Sequence, residues 1–177
     1  MSIRLETDRL VLRPPELGDV DDVLEFVGDE EVMRWIGGEA GDRDAAVESV
    51  ERWIGRWNRN GVGQFAVLLD GHAIGRVGLL VWDVRTWETS SYDQAGEHGQ
   101  TELGWALTRR HWGHGYATEA ARAVRDWAYA ERGLDHLISL IAPDNVRSMR
   151  VAEKLGASMD GQVETAHGPA NMWVHPR

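Results

Sequence analysis

The segment from residue 101 to residue 132 restricts the possible folds more than any other part of the chain. It runs from an apolar strand pattern, Thr101 to Leu107, through a turn with two glycines into a helical pattern from about Tyr116 to Arg132. Small or apolar residues recur at helical spacing on one face of that helix: Ala117, Ala120, Ala121, Val124, Trp127 and Ala128. A strand that leads into a helix with so small an inner face predicts close packing of helix on sheet, and therefore an α/β fold.

The rest of the chain alternates in the same way between strand and helix patterns. Strands are predicted at residues 9–13, 64–69, 73–82 and 136–142, with two closing strands between 158 and 175, and helices at about 20–27, 43–58 and 145–155. Asp70-Gly71 is a hairpin signal, and Asp19 is predicted to cap the first helix. The 177 residues contain no internal repeat or linker, which predicts one mixed α/β domain over residues 1–177.

Charge and cysteine content exclude several classes of protein. Lys and Arg total 19 against 29 Asp and Glu, and the net charge of −10 argues against a nucleic-acid binder. The same charge predicts an acidic binding site that attracts a basic or amine partner. With no cysteine there is no disulfide and no thiol nucleophile. An N-terminus without an apolar signal core, and no apolar run of membrane-spanning length, predict a cytoplasmic protein without a membrane partner.

Residues 83–100 carry no periodic pattern and are predicted to form a long exposed loop. Because the loop leads directly into the strand of Glu102, we predict that it forms one wall of a binding pocket, with Trp87 and Tyr92 as amphipathic contacts for an amine. The alternative is a loop whose aromatic rings cover part of the core or form a homodimer contact.

The turn from Arg110 to Thr118 is the most informative segment for chemistry. Gly113 and Gly115 let backbone N–H groups approach a ligand closely, and the helix behind them adds the partial positive charge of its N-terminus. Together these features predict a pyrophosphate site, although two glycines can also simply join two elements. The Gly-Lys-Ser/Thr of a Walker loop is missing, and five residues between Leu107 and Gly113 are too many for a dinucleotide-binding turn.

Two further groups of residues face inward in the predicted elements. Glu102, Gly104 and Ala106 share one face of their strand, which suits either a slender ligand or the close packing of a helix. Asn145 and Ser148 share one face of the last helix, where a helix cap and a core hydroxyl are the simpler interpretations. The stripe of Arg147, Arg150 and Lys154 is interpreted as a solvated face. Of the seven histidines, His111 and His114 lie in the glycine turn without carboxylates nearby in the sequence, so no metal is expected.

These motifs resemble those of the GCN5-related N-acetyltransferases (GNAT). Arg110-x-x-Gly113-x-Gly115 looks like the family's acyl-CoA signature. Further similarity to the RimJ/RimL-type ribosomal-protein N-terminal acetyltransferases extends over nearly the whole chain, in segments 5–13, 32–35, 102–107, 112–120 and 145–157.

The resemblance implies a mixed sheet of about seven strands, splayed in the middle, with helices on both faces and acetyl-CoA in the notch. The residues that it implies for cofactor binding are Trp105, Ala106, Leu107, Arg110, Gly113, His114, Gly115, Tyr116, Ala117, Thr118 and Asn145. Many relatives have a tyrosine on the last helix that protonates the leaving thiolate. Ala152 occupies that position here, so Ser148 is the substitute and Glu102 the candidate base. Trp35, Trp87 and Tyr92 are the candidate acceptor contacts.

The sequence therefore predicts an acetyl-CoA-dependent N-acetyltransferase that moves the acetyl group directly to a primary amine. The acceptor is either a protein N-terminal α-amine, with a basic N-terminus as one option, or a small-molecule amine. The alternative is an acyl-CoA-binding sensor without turnover, which the missing tyrosine keeps open.

Overall fold

A computed structural model describes residues 3–177 of the chain. The strands are β1 (Leu5–Glu6), β2 (Val11–Arg13), β3 (Gln64–Leu69), β4 (His72–Asp83), β5 (Glu88–Thr89), β6 (Gly99–Leu107), β7 (Ile138–Ile141), β8 (Ser158–Thr165) and β9 (Gly168–Val174). The α-helices are α1 (Val20–Val27), α2 (Glu30–Met33), α3 (Arg43–Asn60), α4 (Tyr92–Ala95), α5 (Tyr116–Glu131) and α6 (Val146–Lys154).

The strands form a single mixed sheet in the order β1-β2-β3-β4-β6-β7-β9-β8, with β5 added to the end of β4. β6 and β7 run parallel and are joined at one register position, Glu102 opposite Ile138, whereas the pairs on either side of them are long antiparallel ladders. The sheet is therefore splayed between β6 and β7. The predicted fold class is confirmed. The sheet has nine strands rather than about seven, because β1 and β5 are two-residue strands that leave no periodic pattern in the sequence.

Helices cover both faces of the sheet. α5 packs its alanine-rich face on side chains of β3, β4 and β6 that include Phe65, Leu79 and Leu103, all fully buried. α1 and α3 pack on the other face, where Phe26 and Trp53 meet edge to face with ring centroids 6.2 Å apart. Because successive strand residues point to opposite faces, Leu107 contributes to the first cluster and Ala106 to the second.

The predicted hairpin and helix ends are found, with one exception at Asp19. Asp70 and Gly71 both have positive φ, at 51° and 86°, as a two-residue hairpin turn requires. Asp19 precedes α1, but its side chain does not cap that helix. It instead accepts hydrogen bonds from Arg13 (2.6 and 2.9 Å) and from the backbone N–H of Glu16 (2.8 Å), because the short 3₁₀ turn before α1 places these donors nearer.

Residues 83–100 are more ordered than the sequence predicts. β5, α4 and a 3₁₀ turn occupy most of this segment, and β6 begins at Gly99 rather than at Thr101. The Ser91 hydroxyl accepts from the backbone N–H of Gln94 (3.3 Å) and so caps α4. Elements of two to four residues leave no periodic signal, and for this reason the sequence pattern suggests a loop. In the described part of the chain, no helix has the length and apolar composition needed to cross a membrane.

Candidate active site

A cavity of about 540 Å³ opens where β6 and β7 separate. Its walls come from the segment 32–37, β4, β6, the turn before α5, β7, α6 and the β8–β9 hairpin. The elements that line it are thus distant in sequence and meet because the sheet is splayed.

Two side chains take the place of the missing ladder between β6 and β7. The Ser139 hydroxyl on β7 donates to the Leu103 carbonyl on β6 (2.5 Å). The backbone N–H of Leu140 donates to Glu102 Oε1 (3.3 Å). Beyond these contacts, the β6 edge from Gly104 to Leu107 faces the cavity with its backbone groups.

His175 holds the Ser139 hydroxyl in place from behind. Its Nε2 lies 2.8 Å from Ser139 Oγ, and because that hydroxyl donates to Leu103, the histidine must donate to it. The His175 side chain is 4% exposed. Burial lowers the pKa of His175 to about 4, with a smaller contribution from the positive charge of Arg125, so the ring is neutral at physiological pH.

The turn before α5 presents backbone N–H groups to the cavity. Gly113 and Gly115 have φ values of +80° and +83°, which residues other than glycine rarely adopt. Gly115 is the N-cap residue and supplies no capping side chain, so the first N–H groups of α5 are not capped by their own N-cap residue. The Trp112 indole donates to the Leu107 carbonyl (2.8 Å) and folds the turn back onto β6.

Glu102 lies at the point where the two strands separate. Its side chain is buried and accepts from the Trp82 indole (2.6 Å) as well as from Leu140. Burial raises the pKa of Glu102, while these two hydrogen bonds and the charges of Arg76 and Arg56 act in the opposite direction. A Cβ at Gly104 would lie 3.6 Å from Glu102 Oε1, which shows that the carboxylate leans over the glycine.

Ser148 and Asn145 lie together on the opposite wall, at the start of α6. The Asn145 side chain accepts from the Ser148 backbone N–H (3.1 Å) and so caps α6. The Ser148 hydroxyl accepts from the Trp105 indole (3.3 Å), and its own proton remains available to a group in the cavity. The structure thus places Glu102 and Ser148 around the same space.

Another wall is formed by the segment 34–37, β4 and the β8–β9 hairpin. The Trp35 indole donates to Glu31 (3.1 Å), and Glu31 also pairs with Arg147 of α6 (3.2 Å), so that this contact crosses the cavity. Hydrogen bonding by Trp35 is the largest effect that lowers the pKa of Glu31. A Cβ at Gly37 would meet the His167 ring, which shows how closely this segment approaches the hairpin.

Most of the predicted site residues line this one cavity. They are Trp35, Glu102, Trp105, Ala106, Leu107, Gly113, Gly115, Tyr116, Ala117, Thr118, Asn145 and Ser148.

The other four predicted residues lie elsewhere. Arg110 pairs with Glu25 of α1 (2.9 Å), and the His114 ring stacks on Tyr116 with centroids 5.7 Å apart. The Tyr92 hydroxyl is 2.9 Å from Thr101 Oγ1, which places Tyr92 on the face of β6 opposite Glu102, against the core. Trp87 lies in the turn after β4, where its backbone N–H donates to the backbone carbonyl of Asp83 (2.8 Å).

The cavity wall differs in charge from the molecule as a whole. Within residues 3–177 its lining contains Arg34, Arg76, Arg147, Arg150 and Lys154, and its one carboxylate is Glu102. These residues therefore do not form the acidic site that the net charge predicts. The stripe on α6 interpreted as a solvated face also lines the cavity, because the splayed sheet turns that side of the helix toward the gap.

Sequence reasoning missed three cavity residues of β4: Arg76, Leu80 and Trp82. One signal for Arg76 was present, because an arginine in the apolar run from Ala73 to Trp82 is a cation that needs a reason to be buried. Leu80 and Trp82 gave no signal, since apolar residues of a strand look alike whether they face a core or a cavity.

Comparison with known families assigns most of the chain. Residues 9–158 match the family model described as the acetyltransferase (GNAT) domain. The protein YkkB of Bacillus subtilis (strain 168) is 31% identical over 161 residues, which cover 86% of this chain and 84% of that protein. The N-acetyltransferase YnaD of the same organism is 28% identical over 172 residues, covering 97% and 92%.

Solved structures agree with this assignment. The acetyltransferase of Agrobacterium tumefaciens str. C58 superposes with a TM-score of 0.79 at 28% identity, covering all of this chain and 96% of that one. The aminoglycoside acetyltransferase AAC(6')-Ib, solved with ribostamycin and coenzyme A, shares the fold with a TM-score of 0.75 at 22% identity, covering 96% and 94%. The family match over residues 9–158, together with the splayed sheet and its cavity, shows that this chain belongs to the GNAT family of acetyltransferases.

Proposed function

We propose that this protein transfers the acetyl group of acetyl-CoA directly to a primary amine inside the cavity. One observation supports this above the others: a single cavity joins the N-terminus of α5, the open edge of β6 and the two candidate proton-transfer groups, Glu102 and Ser148. GNAT acetyltransferases use acetyl-CoA, and the proposal assigns its parts to particular residues of this chain.

The backbone-rich wall would hold the cofactor. The N–H groups from Gly113 to Thr118 would bind the pyrophosphate, because a helix N-terminus without a capping side chain offers free donors and a partial positive charge. The β6 edge from Trp105 to Leu107 would pair with the amide groups of the pantetheine arm, as a neighbouring strand would. Both features suit the chemistry of the group: free N–H donors for phosphate oxygens and an unpaired strand edge for amides.

Direct attack by the amine suits the residues present. With no cysteine, the chain has no thiol to carry the acetyl group. The neutral amine nitrogen would form a bond to the thioester carbonyl carbon, and the carbon–sulfur bond would then break. Backbone N–H groups of β6 would stabilise the developing oxyanion. The Ser148 hydroxyl would give its proton to the departing thiolate and recover one from solvent.

Glu102 would remove the proton that the amine must lose. Its burial raises the pKa of the carboxyl group and so makes the carboxylate a stronger base than an exposed glutamate. An α-amine with a pKa of about 8 needs little help near neutral pH, whereas a lysine side chain, at about 10.4, needs roughly 4 kcal/mol. The demand on Glu102 therefore depends on the acceptor.

The acceptor would bind between Trp35 and β4. Resemblance to the RimJ/RimL-type enzymes favours a protein N-terminal amine, whereas the fold shared with an aminoglycoside acetyltransferase favours a small-molecule amine. The enclosed wall formed by residues 34–37 and the β8–β9 hairpin supports the smaller acceptor, because a peptide chain needs an open path away from the amine.

Release of the CoA thiol from acetyl-CoA with a panel of amines tests the proposal. The panel contains peptides with free N-termini, amino acids, polyamines and aminoglycosides, and mass spectrometry identifies the product. We expect amine-dependent thiol release with one acetylated amine formed per thiol. Tight CoA binding without turnover on any amine would instead support the sensor alternative.

A further inference from the structure

We propose that Arg76 binds a carboxylate of the acceptor, so that the acceptor is a small amine that carries a carboxylate close to its amino group, as amino acids do. This inference rests on the proposed function, since it names the class of amine that the same cavity would take. It depends on the position of Arg76 in the cavity wall, on the charges around it and on the free hydrogen-bond donors of its guanidinium.

Arg76 is in the middle of β4, directly opposite Ala106 of β6, and its side chain lines the cavity. Leu80 is opposite Glu102 in the same ladder, so Arg76, Leu80, Ala106 and Glu102 all lie on one face of the sheet. Between the arginine and the glutamate on β6 is Gly104, over which the Glu102 carboxylate leans. A ligand between the two side chains would therefore meet a carboxylate at one end and a guanidinium at the other.

The guanidinium of Arg76 has no hydrogen-bond or carboxylate partner within residues 3–177, and the side chain is half-buried in the cavity wall. Arg34 and Arg147 of the cavity wall differ, because both pair with Glu31. The aromatic rings of Phe26 and Trp53 lie 6.0 and 5.8 Å from Arg76 Cζ. Rings at these distances position the cation but accept none of its N–H groups, so its planar array of donors is left for a ligand.

The charge around Arg76 also favours an anion. Arg56 of α3 donates to Gln64 (3.0 Å) and, together with Arg52, adds positive charge near Arg76. Burial and these neighbours lower the pKa of Arg76 to about 10, which still leaves the group protonated at neutral pH. Glu102 is the negative group that acts on both arginines, and one carboxylate does not balance two half-buried cations.

The anion that Arg76 would bind is not supplied by the bound cofactor. The phosphates of CoA are assigned to the glycine turn, which follows the end of β6 after Leu107, and to the neighbouring end of the cavity lined by Arg150 and Lys154 of α6. Arg76 is instead on β4, beside the acceptor wall. A guanidinium offers two parallel N–H groups that match the two oxygens of a carboxylate, and an amino group held near Glu102 would place that carboxylate toward Arg76.

Matched acceptors test the proposal. Each L-amino acid is compared with its amide, with its decarboxylated amine and with a dipeptide that begins with the same residue. For the acids that are turned over, we expect kcat/KM to exceed that of the matched amide and amine by at least tenfold, mainly through KM. Wild-type enzyme that prefers amides, plain amines or dipeptides would overturn the inference and leave the proposed function intact.

Variants of Arg76 separate ligand binding from an effect on Glu102. In Arg76→Gln we expect the preference for the carboxylate to fall to within about threefold of unity, with partial recovery in Arg76→Lys, which keeps the charge but loses the planar array. Arg59→Gln removes a positive charge from the exposed part of α3 and serves as the matched control. Equal loss for all acceptors, with a shifted pH profile, would mean that Arg76 only supports the charge of Glu102 and would refute the proposal.

A binding measurement covers the case in which no amine turns over. Calorimetry of amino acids and their amides with the CoA complex would then be made on the wild type, Arg76→Gln and Arg59→Gln. Binding of the acids that is lost in Arg76→Gln alone would support the carboxylate site even though the proposed transfer had failed. No preferential binding of the acids would overturn the site itself.

Discussion

The two walls of the cavity use different parts of the polypeptide. On the side of β6 and α5, the groups that face the space are mostly backbone: the open edge from Gly104 to Leu107 and the N–H groups from Gly113 to Thr118. On the side of β4 and the segment 34–37, they are side chains, among them Trp35, Arg76 and Trp82. A backbone wall is suited to one invariant ligand, whereas a side-chain wall can change its specificity without disturbing the fold. We infer that the first serves the cofactor and the second the acceptor.

The largest expected effect comes from the group between the two walls. In Glu102→Gln we expect kcat to fall by about 10²-fold or more, because general base catalysis is typically worth 10²–10⁴-fold. Burial raises the pKa of Glu102 and protonation removes the base, so wild-type kcat should decline as pH falls through a value above the ordinary 4.5. The variant should lack this decline, whereas Ser148→Ala should keep it. Turnover of Glu102→Gln within about threefold of wild type would mean that positioning alone drives the reaction.

The stability of the protein should depend on pH through His175, which is buried against Ser139 where β6 and β7 separate. Its pKa is about 4 in the folded protein against 6.5 for an ordinary histidine, so the unfolded chain binds more protons between these values. The resulting contribution to the free energy of unfolding, about 3 kcal/mol, is present above pH 6.5 and is lost as pH falls to about 4.

Denaturant unfolding at several pH values checks this. The free-energy difference between wild type and His175→Gln should narrow steadily from pH 7 to pH 4. His136→Gln, at an exposed position, controls for the loss of a histidine. A constant difference across this range would contradict the role given to burial of the ring.

The glycine turn should affect the cofactor and not the acceptor. In Gly113→Val we expect the Kd for CoA to rise at least tenfold by calorimetry, because the side chain enters the cradle and the φ of +80° is unfavourable for valine. Gly133→Val is the matched control, since Gly133 also has positive φ (+65°) and lies at the opposite end of α5. Equal CoA affinity in the two variants would contradict the assignment of the pyrophosphate to this turn.

The smallest expected effect concerns Tyr92, which lies in the segment before β6 and packs against the core rather than in the acceptor wall. Tyr92→Phe removes the hydroxyl contact with Thr101, and we expect a loss of stability of about 1 kcal/mol with an unchanged acceptor KM. Thermal unfolding and steady-state kinetics on the same preparation measure both quantities. A changed KM at unchanged stability would instead favour the prediction from the sequence that Tyr92 contacts the acceptor.

The difference between the walls also explains what could be predicted from the sequence. The strand, the glycine turn and the helix of residues 101–132 can be predicted from local rules. Glycines in a turn, small residues on one helix face and the spacing of apolar residues are all patterns that extend over only a few positions. The long strands and helices were found for the same reason, and β5 and α4 were missed because they are too short to show a period.

Trp35 of the acceptor wall was predicted, but other residues around the cavity were placed wrongly because the elements that carry them come together only in the folded sheet. Arg147 looks like part of a solvated stripe on α6 until the splay turns it toward Glu31. Tyr92 looks like a pocket aromatic until the alternation of β6 places Thr101 and Glu102 on opposite faces. Local patterns carry no information on which face of a strand will border a cavity, and this determines the acceptor site.

A crystal structure of the protein with CoA tests the division of the cavity most directly. We predict pyrophosphate oxygens within hydrogen-bond distance of the N–H groups between Gly113 and Thr118, and pantetheine amides paired with β6 between Trp105 and Leu107. The sulfur should then lie between Glu102 and Ser148, with the guanidinium of Arg76 free of contact with the cofactor. A phosphate bound to Arg76, or a pantetheine arm away from the β6 edge, would contradict the account.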